Sequence, residues 1–285
     1  MKEKLIITAA LAGGATTKHN NPATPYSPEE FAEESAHCFE EGASIVHIHA
    51  KDPKTGMGTM DLQRLRDTIG AIRDRCPELI INISTGSMTD TPDARIAPVI
   101  DLKPEMASFN TNTMNFAVVD HKTGELLVEF IYENTFKTMA YFAEEMKSSG
   151  VKPEFEIFDP GGLYNVLLVA KQKDYFAKPL HFQFVYGVAG GMTFEPLLHM
   201  SLVKMLPEDA TYSVCGVGPW QSQSAVIASI TGGHIRIGLE DNTKMPNGEP
   251  AKGSWEQIKW VKELALIANR PIATVDETRE ILKLV

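Results

Sequence analysis

Cysteine is scarce in this chain: Cys38, Cys76 and Cys215 are spread over 285 residues and form no C-x-x-C pair. That pattern offers no disulfide framework and no paired-thiol motif, and it suits reduced thiols in a cytoplasm. Positive charge is short as well, with Lys+Arg 27 against Asp+Glu 37 and a net charge of −10. Such a balance argues against nucleic acid or an anionic membrane as the main partner. No run of 18 apolar residues occurs, so no transmembrane span is expected. Pro/Ser-rich linkers and low-complexity tracts are missing too, and residues 1–285 are expected to form one domain. The opening "MKEKLIITAALAGGA" has the charged start and small residues of a leader, but Thr8 and the helix cap downstream suit a first core strand better.

What is present is an apolar fraction of 43%, enough for a sizeable core, arranged as strand and helix in alternation. "LIITAAL" is followed by "SPEEFAEESAHCFEEGA", where Ser27 caps, Pro28 takes the first turn and Gly42 stops the helix. "IVHIHA" is followed by a helix with Leu62, Leu65, Ile69, Ile72 and Cys76 at helical spacing. "LIINIS", "MASFN", "EFEIFD", "LHFQFVYG", "TYSVCGVG" and "HIRIGLED" each precede a helical stretch of their own. Eight such units predict an α/β fold of the (β/α)8 TIM-barrel type, with an open doubly wound sheet as the alternative.

Strand alternation sorts the faces. Val46 and Ile48 belong on the helices, which turns His47 and His49 inward. The same period turns His234, Arg236 and Glu240 inward on the last strand, with Glu154 and Glu156 on the fifth. Asn82 and Ser84, Ser108 and Asn110, and His181 and Gln183 complete the interior. Buried charges without partners cost several kcal/mol, so an interior this polar must pair internally or hold a ligand.

Imidazoles at i and i+2 of one strand sit about 7 Å apart along the backbone and can converge on one cation. In a closed barrel the last and second strands flank the first, which brings Glu240 within reach. Two histidines and a carboxylate form the ligand set of a catalytic zinc or similar ion. The competing reading is a structural network in which both histidines bond Glu154 or Glu156. Glu240 and Asp241 are adjacent, so on a strand they cannot share a face; one is expected at a metal and the other on Arg236, or else Asp241 simply caps a loop. The "STGS" corner, Ser84 to Ser87, offers hydroxyls and N–H groups to a carboxylate, and a plain turn is the alternative. "GVAGGMT" after the sixth strand offers backbone amides to a phosphate, but it is not GxGxxG and a flexible loop is the favoured alternative. His19, His37, His121 and His199 read as surface or helix residues without a role.

"HIHAKD", "ISTGS", "PEMASFNT", "KPEFEIFDPG" and "GGHIRIGLEDN", in this order over essentially the whole chain, resemble the β-keto acid cleavage enzyme family. The resemblance implies a zinc-dependent barrel, one Zn2+ per chain and usually a homotetramer. It also implies that a small β-keto acid and the cosubstrate acetyl-CoA give acetoacetate and a new acyl-CoA. By motif, His47, His49 and Glu240 match the zinc ligands, and Ser84, with Thr85 and Gly86 beside it, matches the substrate-carboxylate site. Ser108 lies near the thioester, Arg236 and Asp241 handle the proton, and Glu156 is the matching acid of the fifth strand, with Glu154 as the alternative. The chain departs from the family's amino-substrate members at Ala15, where a glutamate is expected. It departs again at Pro219–Trp220–Gln221, where a basic residue is expected before the glutamine.

Two other functions fit a polar barrel. A metal-dependent hydrolase would want HxH on the first strand and more histidines on the fifth and sixth. A non-catalytic metabolite-binding barrel would leave an open metal position beside Arg and Asp without chemistry. A Schiff-base aldolase finds no inward-facing lysine on the strands as read.

Overall fold

Helix α1 (Pro28–Glu40) begins as the sequence dictates: Ser27 accepts from the Glu30 N–H, Glu30 reaches back to the cap, and Pro28 fills the first turn. The same logic starts most of the other helices of this computed structural model, which describes residues 4–120 and 123–284. Asp61 caps α2 (Leu62–Arg75), Thr91 caps α3 (Pro92–Leu102), and Thr135 caps α4 (Phe136–Ser149). Asp159 caps α5 (Pro160–Gln172) and Glu195 caps α6 (Pro196–Met205). Helices α7 (Trp220–Thr231) and α8 (Ser254–Ile267) have no side-chain cap, while Thr274 builds a second capping box for α9 (Val275–Leu282).

Eight parallel strands close into a barrel. They are β1 (Ile7–Ala10), β2 (Ile45–Ile48), β3 (Ile80–Ile83), β4 (Met106–Asn110), β7 (Lys152–Ile157), β8 (His181–Tyr186), β9 (Thr211–Gly216) and β10 (His234–Ile237). β1 pairs with both β2 and β10, so closure is complete and the fold is the expected (β/α)8 type rather than an open sheet. Val46, Ile48, Ile81, Ile83, Phe155, Ile157, Ile235 and Ile237 pack outward in the main core, as the alternation predicts.

The interior is layered. Ile6, Ile45, Ile80 and Met106 form an apolar floor at the start of their strands, sealed from below by Ala273 and by Val275 and Leu282 of α9. Polar residues occupy the levels above the floor. Two elements had no counterpart in the sequence reading: α9, and a hairpin of β5 (Met114–Val119) and β6 (Leu126–Tyr132) between β4 and α4. A two-stranded hairpin is marginal alone. This one is anchored at its base, where Met114 and Tyr132 pack on Phe158, Val185 and Cys215 at the rim.

Candidate active site

At the carboxyl-terminal ends of β2 and β10 the chain gathers its titratable groups. His47 is buried within β2 and His49 lies just past its end, their rings 5.6 Å apart. Glu240 arrives from the turn after β10: its Oε1 is 3.6 Å from Nε2 of His47 and 3.5 Å from Nε2 of His49. Ligands about 2 Å from a tetrahedral zinc are about 3.3 Å from one another, so this trio is close to the spacing that such an ion requires. Oε2 of Glu240 is buried without a hydrogen-bond partner, which leaves a carboxylate oxygen free beside the two imidazoles. Burial, with the Arg236 charge, depresses His47 to about 3, so its imidazole is neutral and ready to coordinate. Burial alone would raise Glu240, yet Arg236 and the two histidines outweigh it and keep the carboxyl well below its ordinary value.

Arg236 is the hub of the site. Its Nε and Nη2 donate to both oxygens of Asp241 at 3.0 and 2.8 Å, a bidentate grip. Nη2 also donates to Glu240 at 2.6 Å, and Nη1 to Glu156 at 3.3 Å. The expectation that the adjacent acids serve separate faces is therefore corrected. Both reach one guanidinium, because the chain has left the strand before Glu240. Gly238 makes that exit possible: a Cβ there would overlap the Ala10 backbone. Burial opposes charge on Arg236, but Asp241 and Glu240 more than restore it. Burial also raises Asp241 against the pull of Arg236, with Glu240 adding to the rise.

The two acids of β7 separate by depth. Glu156 faces Arg236, and burial pushes it up to about 8 despite that contact. Glu154 lies fully buried one level down, accepting from Asn82 at 2.8 Å and Gln183 at 3.3 Å, with His181 3.5 Å away. Burial would raise it, but His181, together with His47 and Arg236, outweighs that and lowers it. The hydrogen bonds of Glu154 thus go to Asn82 and Gln183, whereas the His47 and His49 rings lie against Glu240.

Other expected residues are placed as follows. Ser84 directly follows β3, with its hydroxyl accepting from the Gly86 N–H at 3.0 Å. Ser108 is wholly buried and accepts from the Thr85 N–H at 3.0 Å, while the Thr85 hydroxyl donates to the Ser108 carbonyl at 2.8 Å. Thr85 therefore braces the corner with its side chain turned to the backbone. Gln221 donates to the Gly238 carbonyl at 3.1 Å, which supports the turn carrying Glu240 and Asp241. His199 lies on α6 as a fully buried residue between Tyr186 and Thr231, not at the surface. His19 and His37 are exposed, and His121 lies outside the described residues.

Two buried lysines went unread. Lys152 opens β7 and donates to the Ala177 and Pro179 carbonyls at the far end of the barrel. Lys51, inside the quoted "HIHAKD", donates to the carbonyls of Gly13 and Thr16 beside the metal trio. The mixed hydrophobic and charged run gave its only signal.

Comparison with known proteins agrees with this geometry. A family model described as beta-keto acid cleavage enzyme matches residues 4–284. The chain is similar to a 3-keto-5-aminohexanoate cleavage enzyme of Fusobacterium nucleatum, at 40% identity over 100% of this chain and 99% of that one. It is also similar to a 3,5-dioxohexanoate:acetyl-CoA acetone transferase of Paraburkholderia graminis, at 30% identity over 99% of this chain and 96% of that protein. Among solved structures, a ternary complex of ObcA with a C4-CoA adduct and oxalate superimposes with a TM-score of 0.75. That likeness spans 92% of this chain and 68% of the other at 22% identity, and it carries the fold alone.

Proposed function

Because the chain belongs to the β-keto acid cleavage enzyme family, we propose that it converts a β-keto acid and acetyl-CoA into acetoacetate and a new acyl-CoA. The observation that best supports this reading is the joining of the His47–His49–Glu240 trio to Asp241 through Arg236. The trio would hold one zinc ion per chain, which when bound supplies a Lewis acid for the keto oxygen.

The remaining roles fall to side chains. Asp241 takes the proton from the carbon between ketone and carboxylate, and the resulting carbanion attacks the acetyl-CoA carbonyl. Coenzyme A thiolate leaves, then adds to the original ketone. The carbon–carbon bond breaks to give the new thioester, and Asp241 returns its proton to the acetoacetate carbanion. Arg236 stays charged throughout, since neutral guanidinium is so unfavourable, and orients Asp241 through two parallel bonds. Ser84 holds the substrate carboxylate in this reading, with its hydroxyl oriented by the Gly86 N–H and the corner supported by Ser108 through Thr85. Glu156, protonated near neutral pH, can donate toward developing oxyanion charge.

The single barrel works in the cytoplasm in this reading, consistent with three free buried cysteines. No helix among the described residues is long and apolar enough to cross a membrane. The exposed Leu197, Ile230, Leu266 and Ile267 on the outer helices support assembly into a homotetramer.

The test combines elemental analysis with an acetoacetate-release assay. About one zinc per chain is expected, lost in His47→Ala/His49→Ala. Asp241→Asn should retain metal and fold but lose most turnover, about 100-fold or more for removal of a general base. Full metal retention in the double variant, or unchanged turnover in Asp241→Asn, would refute the respective assignment.

A further inference from the structure

The segment Gly13–Thr16 after β1 lies directly against two of the three candidate ligands. A Cβ on Gly13 would stand 2.6 Å from Cγ of Glu240, and one on Gly14 would touch the His49 ring at 3.8 Å. Glycine at both positions thus lets the backbone itself form the wall behind the ligands. Thr16 donates its hydroxyl to the Glu240 carbonyl at 3.1 Å, and the Gly58 N–H donates to the Gly14 carbonyl at 2.7 Å. Two further carbonyls of this strap, those of Gly13 and Thr16, accept from the Lys51 ammonium.

Lys51 itself is unusual. Only 2% of it is exposed, and no carboxylate among the described residues lies within ion-pair distance of its ammonium. A buried ammonium that ends on two backbone carbonyls is spent on fixing a loop. Lys51 follows His49 by two residues, so the segment that runs on from β2 past both candidate ligands also carries the pin for the strap behind His49 and Glu240.

We propose that Lys51 is a positioning residue: it pins the Gly13–Thr16 strap against His49 and Glu240 and so fixes the metal cradle before an ion arrives. This rests on the metal reading above. Loss of the pin leaves two loop carbonyls without their donor and frees the strap to move off the ligands.

The experiment compares Lys51→Met, which keeps the length of the stem without donors, with Lys51→Arg, which keeps charge and donors. Zinc affinity is read by chelator competition and strap mobility by amide hydrogen exchange over residues 11–20. Lys51→Met should weaken zinc binding about 10- to 100-fold, the usual effect of removing support behind a ligand. Its strap amides should exchange at least about tenfold faster, an opening cost of about 1.4 kcal/mol, and Lys51→Arg should restore most of both. Wild-type affinity together with unchanged exchange in Lys51→Met would overturn the proposal. If Lys51→Met does not fold, Thr16→Val is read in its place: weaker zinc binding supports the strap's role, and unaltered binding overturns it. If the wild-type protein binds no divalent ion, the metal reading fails, and the exchange measurement still decides whether Lys51 pins the strap.

Discussion

A carboxyl group that keeps its proton near neutrality leaves a mark on stability as well as on chemistry. Glu156 titrates at about 8 in the fold against 4.5 for an ordinary glutamate, since burial outweighs the attraction of Arg236. Between those values the folded state binds more protons than the unfolded chain, so stability falls as pH rises through the window. Glu156→Gln cannot ionise and escapes that fall. Its melting temperature relative to wild type should therefore climb between about pH 5 and pH 8, by about 10 °C on the usual scales of about 1.4 kcal/mol per pH unit and about 2–4 °C per kcal/mol. A difference that stays constant across the window in scanning fluorimetry would show that Glu156 titrates normally. From sequence, Glu154 and Glu156 were indistinguishable, because a period of two puts both on one face. Depth along the strand separates them, and depth depends on how β7 is staggered against β4 and β8.

At the scale of elements, strand alternation and helix caps were read correctly because both are local. His47, Asn82, Ser108, Glu154, Gln183 and Arg236 all project inward from strands whose alternate residues pack in the core. Alternation failed where the strand ended: after Ile237 the chain turns, and the face of Asp241 is set by Gly238 and by Gln221 from α7. The hairpin escaped notice because β6, "LLVEFIY", shows no period of two and is exposed along most of its length. Helix α9 escaped because its role is remote, since Val275 and Leu282 meet residues more than 150 positions away. That role gives a measurable expectation. Leu282 is fully buried against the floor, so Leu282→Ala should cost about 2–5 kcal/mol. Urea unfolding of the variant should show the loss while zinc affinity at 25 °C stays as in wild type; an unchanged midpoint would mean that α9 does not seal the barrel.

For the whole molecule, a net charge of −10 would seem to favour a cationic substrate. Screening decides otherwise, because at physiological salt the field of remote carboxylates fades within about 8 Å. Near the strap the local charges count, and there Ala15 stands exposed where a carboxylate is expected while Lys51 holds the adjoining carbonyls. An ammonium tail placed there loses water without gaining an anion, at a cost of about 1–3 kcal/mol. Neutral or anionic β-keto acids should accordingly show the higher kcat/KM in a panel assayed with acetyl-CoA, by about 5-fold or more. A preference for 3-keto-5-aminohexanoate would mean that another acid receives the ammonium.

The sealed floor has a kinetic meaning as well. With Ile6, Ile45, Ile80 and Met106 closed over by α9, the polar interior opens at the rim that carries the strap and the hairpin base. A vessel with one mouth fills from the bottom and empties from the top. In the proposed reaction the acid is expected to board before the bulkier thioester, an order that initial-rate kinetics with product inhibition would read. A helix remote from the histidines would then set the sequence of entry.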